Sequence, residues 1–195
     1  ETKRAISNIV GAVNSQYKFS SLPEFNAALK QFNVVADRGK EEGRIFKNRG
    51  LVYRILDSAG NKVGVPIKAS SIGCKPILAN LEKKFTANET AKEFLKSFVK
   101  IKLDDCLSQS PSTMKELTEQ LKQKNIYTVL RQNTEGRLFG ITFVDNQNKV
   151  VFNGSDLGKG YSAAALQSRL AAGTEKSLNN DETKGSSSGS SNQKE

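Results

Sequence analysis

The stretch LKQFNV at residues 29–34 returns as LKQKNI at residues 121–126, with four of the six positions identical. Each copy follows a segment that begins like a helix, SLPE (21–24) in the first case and TMKE (113–116) in the second. A Ser or Thr followed three residues later by Glu is typical of a helix N-terminus, because both side chains can cap backbone N–H groups. The recurrence of a helix and of the residues that end it indicates an internal duplication.

The match continues downstream of both helices. EGRIF (42–46) matches EGRLF (135–139), and GLVYRILD (50–57) matches GITFVD (140–145). The branched and aromatic residues of these four segments are typical of strands. The second segment of each copy ends at an Asp that is followed by turn-forming residues, SAGNKV or NQNKV, and then by apolar residues. This pattern predicts a hairpin in each copy.

Each copy closes with a second helix, which follows ASSIG (69–73) in the first and GSDLG (154–158) in the second. The order is therefore helix, strand, hairpin, helix in both. It predicts the α+β fold class, with two small, largely antiparallel sheets packed with helices. The first repeat unit spans residues 17–86 and the second spans residues 113–171.

The other segments are expected to flank or join the two units. Residues 1–16 should form a helix that continues from an upstream domain, and residues 87–112 should form a connecting helix that begins at TANE (86–89) and packs between the sheets. Residues 172–195 hold few apolar side chains, which cannot offset the entropy of ordering, so they are expected to be a disordered tail. The first helix carries a stripe made of Ile6, Ile9, Val10 and Val13.

Composition favours an anionic partner. The chain has 30 Lys and Arg against 20 Asp and Glu, a net charge of +10, which suits nucleic acid first and an anionic membrane second. No apolar run is long enough to cross a membrane and the sequence has no signal-like start, so we expect a cytoplasmic protein. Cys74 and Cys106 lack any metal-binding spacing and are expected to be reduced, buried thiols.

Comparing the two copies separates residues that maintain the fold from residues that are free to serve a function. Residues present in both copies are most simply explained by the shared fold. The loop GSDLGKGYS (154–162) resembles a phosphate-binding loop, but its spacing is one residue short and Lys159 is followed by Gly. The counterpart of Lys159 in the first copy is Cys74. The loop is therefore interpreted as a turn and not as a nucleotide site.

The same comparison applies to the aromatic residues, which could stack on unpaired bases. Phe46 matches Phe139 and Tyr53 matches Phe143. Because both pairs are shared, we interpret all four side chains as core residues.

A cationic loop, RGKEEGRIFKNRG (38–50), distinguishes the first copy, since Lys47, Asn48 and Arg49 have no counterpart in the second. Clustered Lys and Arg neutralise phosphates and release counterions. The alternative is a solvated loop whose charge, diluted by Glu41 and Glu42, only maintains solubility. About six phosphate contacts would give a log-log salt slope near five. The predicted nucleic-acid-binding residues are Arg38, Lys40, Arg44, Lys47, Arg49, Arg54 and Lys68.

No catalytic or metal-binding residue is predicted. The chain has no His, which excludes catalytic triads and sites of the His-bearing zinc type. Carboxylates alone could hold Mg²⁺, and the pairs considered are Asp104 with Asp105 and Asp145 with Asp156. Adjacent helical residues diverge by about 100°, so Asp104 and Asp105 do not share a metal easily. Asp145 matches Asp57 and is interpreted as a turn residue.

Three stretches together resemble a known family. NVVADRG (33–39), GLVYRILDSAGNKVGVPIKAS (50–70) and GITFVDNQNKVVFNGSDLGKGYSA (140–163) are similar to the C-terminal region of relaxases, the mobilisation nucleases of plasmids and transposons. The similarity spans most of residues 17–171. In that family an N-terminal domain nicks one strand at the transfer origin with a Tyr nucleophile and a metal held by a His cluster.

The resemblance implies a domain that follows the nuclease and does not nick. A chain without His cannot supply the metal site, so no role as nucleophile passes to any of its tyrosines, and a divalent metal is expected only in the parent nicking domain. The leading hypothesis is a domain that holds or positions transfer-origin DNA beside the N-terminal relaxase domain, without itself cutting. The alternative is an interaction or dimerisation domain that docks other mobilisation proteins through the stripe of the first helix. A carboxylate-metal nuclease is the third hypothesis.

Overall fold

A computed structural model describes residues 2–182 of the chain, with side chains through residue 172. Helices and strands alternate in the order expected for two successive units. Their bounds are α1 Thr2–Gln16, α2 Leu22–Lys30, β1 Val34–Asp37, α3 Arg44–Lys47, β2 Val52–Leu56, β3 Lys62–Lys68, α4 Leu78–Glu93, α5 Lys96–Ser108, α6 Met114–Gln123, β4 Ile126–Gln132, β5 Leu138–Asp145, β6 Val150–Asn153, α7 Gly154–Leu157 and α8 Ala163–Glu182.

The strands form two separate antiparallel sheets with the same internal order, β1-β2-β3 and β4-β5-β6. In the first sheet Val34 pairs with Ile55, and in the second Ile126 pairs with Asp145. Each sheet follows a helix that ends in the repeated LKQ sequence. The predicted α+β class and the internal duplication are confirmed.

Capping residues begin both repeated helices as predicted. Ser21 Oγ accepts a hydrogen bond from the Glu24 N–H at 3.3 Å, and Thr113 Oγ1 accepts one from the Glu116 N–H at 3.1 Å. The carboxylate of each Glu accepts a further backbone N–H from the residue before the cap. Both helices therefore start with their free N–H groups partly satisfied.

The repeated Asn that ends each helix has a defined backbone role. Asn33 and Asn125 adopt positive φ angles of 55° and 61°, a region that Asn tolerates better than most residues. Their carbonyl oxygens accept the N–H groups of Leu56 at 2.8 Å and Asn146 at 2.9 Å. The left-handed turn therefore directs the chain from the helix into β1 or β4. Its carbonyl oxygen also links the end of that helix to the end of the following strand, β2 or β5.

Asp57 and Asp145 form turns, as predicted from their repetition. Asp57 Oδ1 accepts the N–H groups of Ala59 and Asn61, and Asp145 Oδ1 accepts the N–H of Gln147 at 2.9 Å. A short carboxylate that binds the backbone two residues on stabilises a tight turn. Both carboxylates therefore stabilise the turns of the two hairpins.

Two hydrophobic cores lie on opposite sides of the second sheet. Because successive strand residues point to opposite faces, Val144 and Val151 belong to the first core, whereas Phe143 and Phe152 belong to the second. The first sheet contributes Tyr53 and its neighbours to the first core only. One face of the second sheet thus joins the two units.

The helix between the sheets is α2 and not the connecting helix, which corrects the prediction. Phe25 and Leu29 of α2 are fully buried in the first core, and α2 contacts both sheets. Val99 and Leu103 of α5 pack in the second core with residues of α6. The apolar side chains of α2 pack against both sheets, whereas the buried side chains of α5 pack in the second core only.

The start of the connecting helix was also predicted wrongly. Residues 86–89 lie inside α4, where Thr86 Oγ1 donates to the Glu82 carbonyl oxygen at 3.4 Å. The helix ends at Glu93, and α5 begins at Lys96. A capping sequence marks a helix start only where the preceding residues leave the helix, and here they continue it.

The repeated EGRxF segment folds differently in the two copies. Residues 135–139 lead into β5, which pairs along the seven residues of β4. β1 has only four residues, so the equivalent segment 42–46 has no strand to pair with and forms the short helix α3. The prediction of a strand at 42–46 is wrong, because a strand needs a hydrogen-bonding partner.

The last helix enters the segment predicted to be a tail. α8 continues to Glu182, past Leu166 and Leu170, which are buried. A helix already anchored by packing extends without a new nucleation cost. The helix therefore covers residues 172–182 of the segment expected to be a tail, and residues 183–195 lie outside the described part of the chain.

Candidate nucleic-acid interface

The two sheets use their equivalent faces differently. The face of the second sheet that carries Val144 is buried in the first core. The equivalent face of the first sheet, here called the outer face, carries Val35, Val52 and Arg54. Val52 is buried and the other two are half-buried, but none of them is part of the two clusters that form the cores. The surface that joins the units in the second copy therefore does not join them in the first.

Ion pairs organise the strands of the outer face. Asp37 lies 3.3 Å from Arg54 Nε and 2.9 Å from Lys62 Nζ. Partial burial raises the pKa of the Asp37 carboxyl, but the hydrogen bond from Lys62, a backbone N–H and the charge of Arg54 outweigh it and hold the pKa below its ordinary value. Arg54 is therefore engaged within the protein and is less available to a ligand.

The cationic loop is held in place by a cation–π contact. The guanidinium carbon of Arg38 lies 3.9 Å from the ring centre of Phe46, and Arg38 also donates to the Phe46 carbonyl oxygen at 3.4 Å. Phe46 is half-buried under this contact. The loop that carries α3 thus has a fixed geometry.

The two aromatic pairs that the sequence assigns to the core differ in burial. Tyr53 and Phe143 are fully buried, as predicted, and Tyr53 Oη donates to the Pro76 carbonyl oxygen at 2.7 Å. Phe139 is 63% exposed, so the prediction is wrong for it and only partly met by Phe46. Both residues of that pair lie in the EGRxF segment, where the two copies diverge.

Arg49 forms the best-defined contact of the loop. It adopts a positive φ of 51°, and its Nη2 atom donates to Glu82 Oε2 at 2.6 Å and Oε1 at 2.8 Å. The next residue, Gly50, packs so tightly that an added Cβ would lie 3.0 Å from the Ile45 carbonyl oxygen. α4 therefore fixes the position of this guanidinium through Glu82.

A groove of about 620 Å³ lies between α3 and β3. Three predicted binding residues, Arg44, Arg49 and Lys68, line it together. The other four predicted residues do not line this groove: Arg38 and Arg54 are engaged as above, and Lys40 and Lys47 are exposed on the loop. Its apolar walls are Ile45, Leu51, Val52, Pro66 and Ile77.

Two contributors to this surface were missed in the sequence. Glu82 lies 33 positions from Arg49, and no local pattern connects them. Lys62 could have been found, because the hairpin register pairs it with Leu56 and so places it on the outer face. The position of Glu82 depends on how α4 packs, whereas the position of Lys62 depends only on strand pairing.

The carboxylates considered for a metal site are used elsewhere. Asp104 accepts a hydrogen bond from Tyr161 Oη at 2.8 Å, Asp105 pairs with Lys124, and Asp145 pairs with Lys102 at 3.0 Å. Within residues 2–182, no three His, Cys, Asp or Glu side chains are grouped so as to hold a metal ion. No helix in that range is long and apolar enough to span a bilayer.

The stripe predicted to dock a partner is part of the first core. Ile6, Val10 and Val13 are buried, so they hold α1 to its own domain. Of the two thiols, Cys106 is buried as expected, whereas Cys74 is exposed, so the prediction is wrong for Cys74. Burial raises the pKa of the Cys106 thiol.

Comparisons with models of protein families, with curated proteins and with solved structures found no match. What the chain does is therefore inferred from its own residues and their arrangement.

Proposed function

We propose that this chain is a DNA-binding domain that holds or positions DNA through the outer face of its first sheet and the loop above it. One observation carries the proposal. The sheet face that joins the two units in the second copy does not join them in the first, and only the first unit adds a cationic loop beside it. The asymmetry of the duplicated fold thus concentrates exposed positive charge at one place.

Four cations of this surface are available to phosphates. Lys40, Arg44, Lys47 and Lys68 are exposed, and none of them forms an ion pair with another described residue. Each exposed Lys or Arg can neutralise one phosphate and release a condensed counterion. The net charge of +10 adds long-range attraction to the same polyanion.

We further propose that the domain belongs to the non-nicking region of a cytoplasmic relaxase and acts beside its nuclease at a transfer origin. The resemblance at 33–39, 50–70 and 140–163 supports this context. The absence of His and the engagement of Asp104 and Asp145 in other contacts favour positioning over cutting.

Charge reversal tests the binding surface. The double variant Arg44→Glu with Lys47→Glu should lose roughly tenfold or more in affinity for labelled single-stranded and duplex oligonucleotides, and its salt slope should drop by about two. The matched control is Lys115→Glu with Lys122→Glu on α6, two exposed cations of the second unit. Equal losses in both double variants would refute the proposed surface, as would a parent protein that binds neither oligonucleotide.

The second candidate is an interaction domain, and one observation favours it. Phe94, Phe98 and Ile101 are 78%, 54% and 66% exposed, and their spacing places them along one side of α5 and the turn before it. Contiguous exposed aromatic residues are typical of protein interfaces. If they bind another copy, sedimentation velocity should show association that Phe98→Ser with Ile101→Ser abolishes. A concentration-independent monomer would exclude self-association.

A further inference from the structure

The groove between α3 and β3 has the features of a site for a single nucleotide. Resting on the DNA-binding function proposed above, we infer that it receives one unstacked nucleotide of single-stranded DNA, with the base against the apolar walls and the flanking phosphates at the cationic rim. The volume of about 620 Å³ lies within the range of small-ligand pockets. A duplex keeps its bases stacked inside, and extruding one to such a concave site costs free energy that a single strand does not lose.

The walls of the groove suit the faces of a base. Ile45 of α3 and Pro66 of β3 both line it, and its floor is formed by the buried Leu51 and Val52. Apolar side chains hold an extruded base by contact with its ring faces. Asn48 and Ser70 also line the groove and can hydrogen-bond to the edge of a base. The same cavity therefore combines apolar and polar recognition.

The charges at the rim divide into two kinds. Arg49 is paired with Glu82 through a single nitrogen, Nη2, so part of its positive charge is compensated while its guanidinium stays exposed. An exposed guanidinium face can stack on a base. Arg44 and Lys68 line the groove without an ion pair to any described residue, and their charge remains for the phosphates.

The second unit does not build an equivalent groove from its matching segment. Residues 135–139 lead into β5, so there is no helix comparable to α3 beside the second sheet. The site therefore depends on the added residues Lys47, Asn48 and Arg49, which let the loop of the first unit turn back over β3. This asymmetry also supplies a matched control, since Ser70 in ASSIG corresponds to Ser155 in GSDLG.

Filling the groove tests the inference without altering charge. Ser70→Trp places a large side chain at the rim, and Ser155→Trp makes the same change at an exposed site of the second unit. The parent chain should bind a short single-stranded oligonucleotide roughly tenfold more tightly than the matching hairpin duplex. Ser70→Trp should remove this preference by weakening single-strand binding, whereas Ser155→Trp should keep it.

A second measurement works on the unaltered protein. A single-stranded oligonucleotide that carries 2-aminopurine should become brighter on binding, because the probe leaves its neighbours when it enters the groove. Three results would each overturn the nucleotide site: equal affinity for single strand and duplex, no change in 2-aminopurine fluorescence, or no effect of a folded Ser70→Trp variant. Salt-dependent binding would still support the proposed function in those cases. Failure to bind either oligonucleotide would overturn both.

Discussion

Lys92 at the end of α4 reaches Glu24 in the first turn of α2, with Nζ 2.5 Å from Oε2 and both side chains almost fully buried. Nζ also lies 4.8 Å from the ring centre of Phe152 in the second sheet. Burial lowers the pKa of Lys92, and the charge of Glu24 opposes that effect. The pair thus lies at the junction of the two units, where an unpaired charge would be costly.

Removing one partner of this pair should destabilise the fold strongly. Lys92→Met leaves the Glu24 carboxylate buried, and its Oε1 atom already lacks a hydrogen bond. We expect a loss of about 3–5 kcal/mol in the free energy of unfolding, and a smaller loss when Glu24→Gln is added. Urea unfolding followed by circular dichroism measures both. Glu116→Gln, at the exposed counterpart of Glu24, is the control, and a larger loss in the control would contradict the argument.

Asn33 and Asn125 should respond alike to substitution. An Ala at either position would have to adopt the left-handed conformation, at a cost of roughly 1–2 kcal/mol, whereas Gly adopts it readily. Thermal unfolding of the four single variants should therefore show both Ala variants less stable than both Gly variants. If Ala and Gly were equally tolerated, the backbone role of the repeated Asn would be disproved.

Stability should depend on Asp37 in acid. Its carboxyl titrates below the ordinary value of 3.8 in the folded chain, so its stabilising effect is complete above that pH and is lost as the pH falls through the lower folded value. Asp37→Asn should cost up to about 1 kcal/mol at neutral pH, since the half-exposed Lys62 partner is screened. Urea midpoints at neutral and acidic pH should converge between parent and variant, and a constant difference would count against the ion pairs.

The salt dependence of DNA binding should be smaller than the loop composition suggests. Of the seven predicted cations, Arg49 and Arg54 are paired with Glu82 and Asp37, and Arg38 is half-buried against Phe46. The remaining four are exposed and unpaired with any described residue. Four phosphate contacts give a log-log slope of about 3.6 for duplex DNA and about 2.8 for a single strand. Fluorescence anisotropy across a salt series measures it. A slope near five would mean that the paired arginines leave their carboxylates on binding.

Local features of the fold could be predicted well from the sequence. The caps at Ser21 and Thr113, the turns at Asp57 and Asp145 and the two hairpins depend on hydrogen bonds between residues a few positions apart. Both partners of such a contact are close together in the sequence, and the duplication repeats each contact in the second unit. The cationic loop could also be found, because it breaks the match between the copies.

Features that depend on packing could not be predicted. The same EGRxF pattern leads into a strand in one unit and forms a helix in the other, since only β4 is long enough to pair with it. The stripe on α1, which the alternative hypothesis uses as a docking surface, is buried in the first core. In both cases the sequence identifies apolar or strand-forming residues without saying which neighbour covers them.

The sequence by itself determined that the chain is built from two copies of one α+β unit, and that the first copy carries the added cations. Only the tertiary structure decided which sheet face joins the two units, that Glu82 pairs with Arg49, and that Arg44, Arg49 and Lys68 line one groove. The physical reason is the range of the interactions involved. Caps and turns form within a few residues, whereas a binding surface is defined by distant elements that pack together and by the one face they leave uncovered.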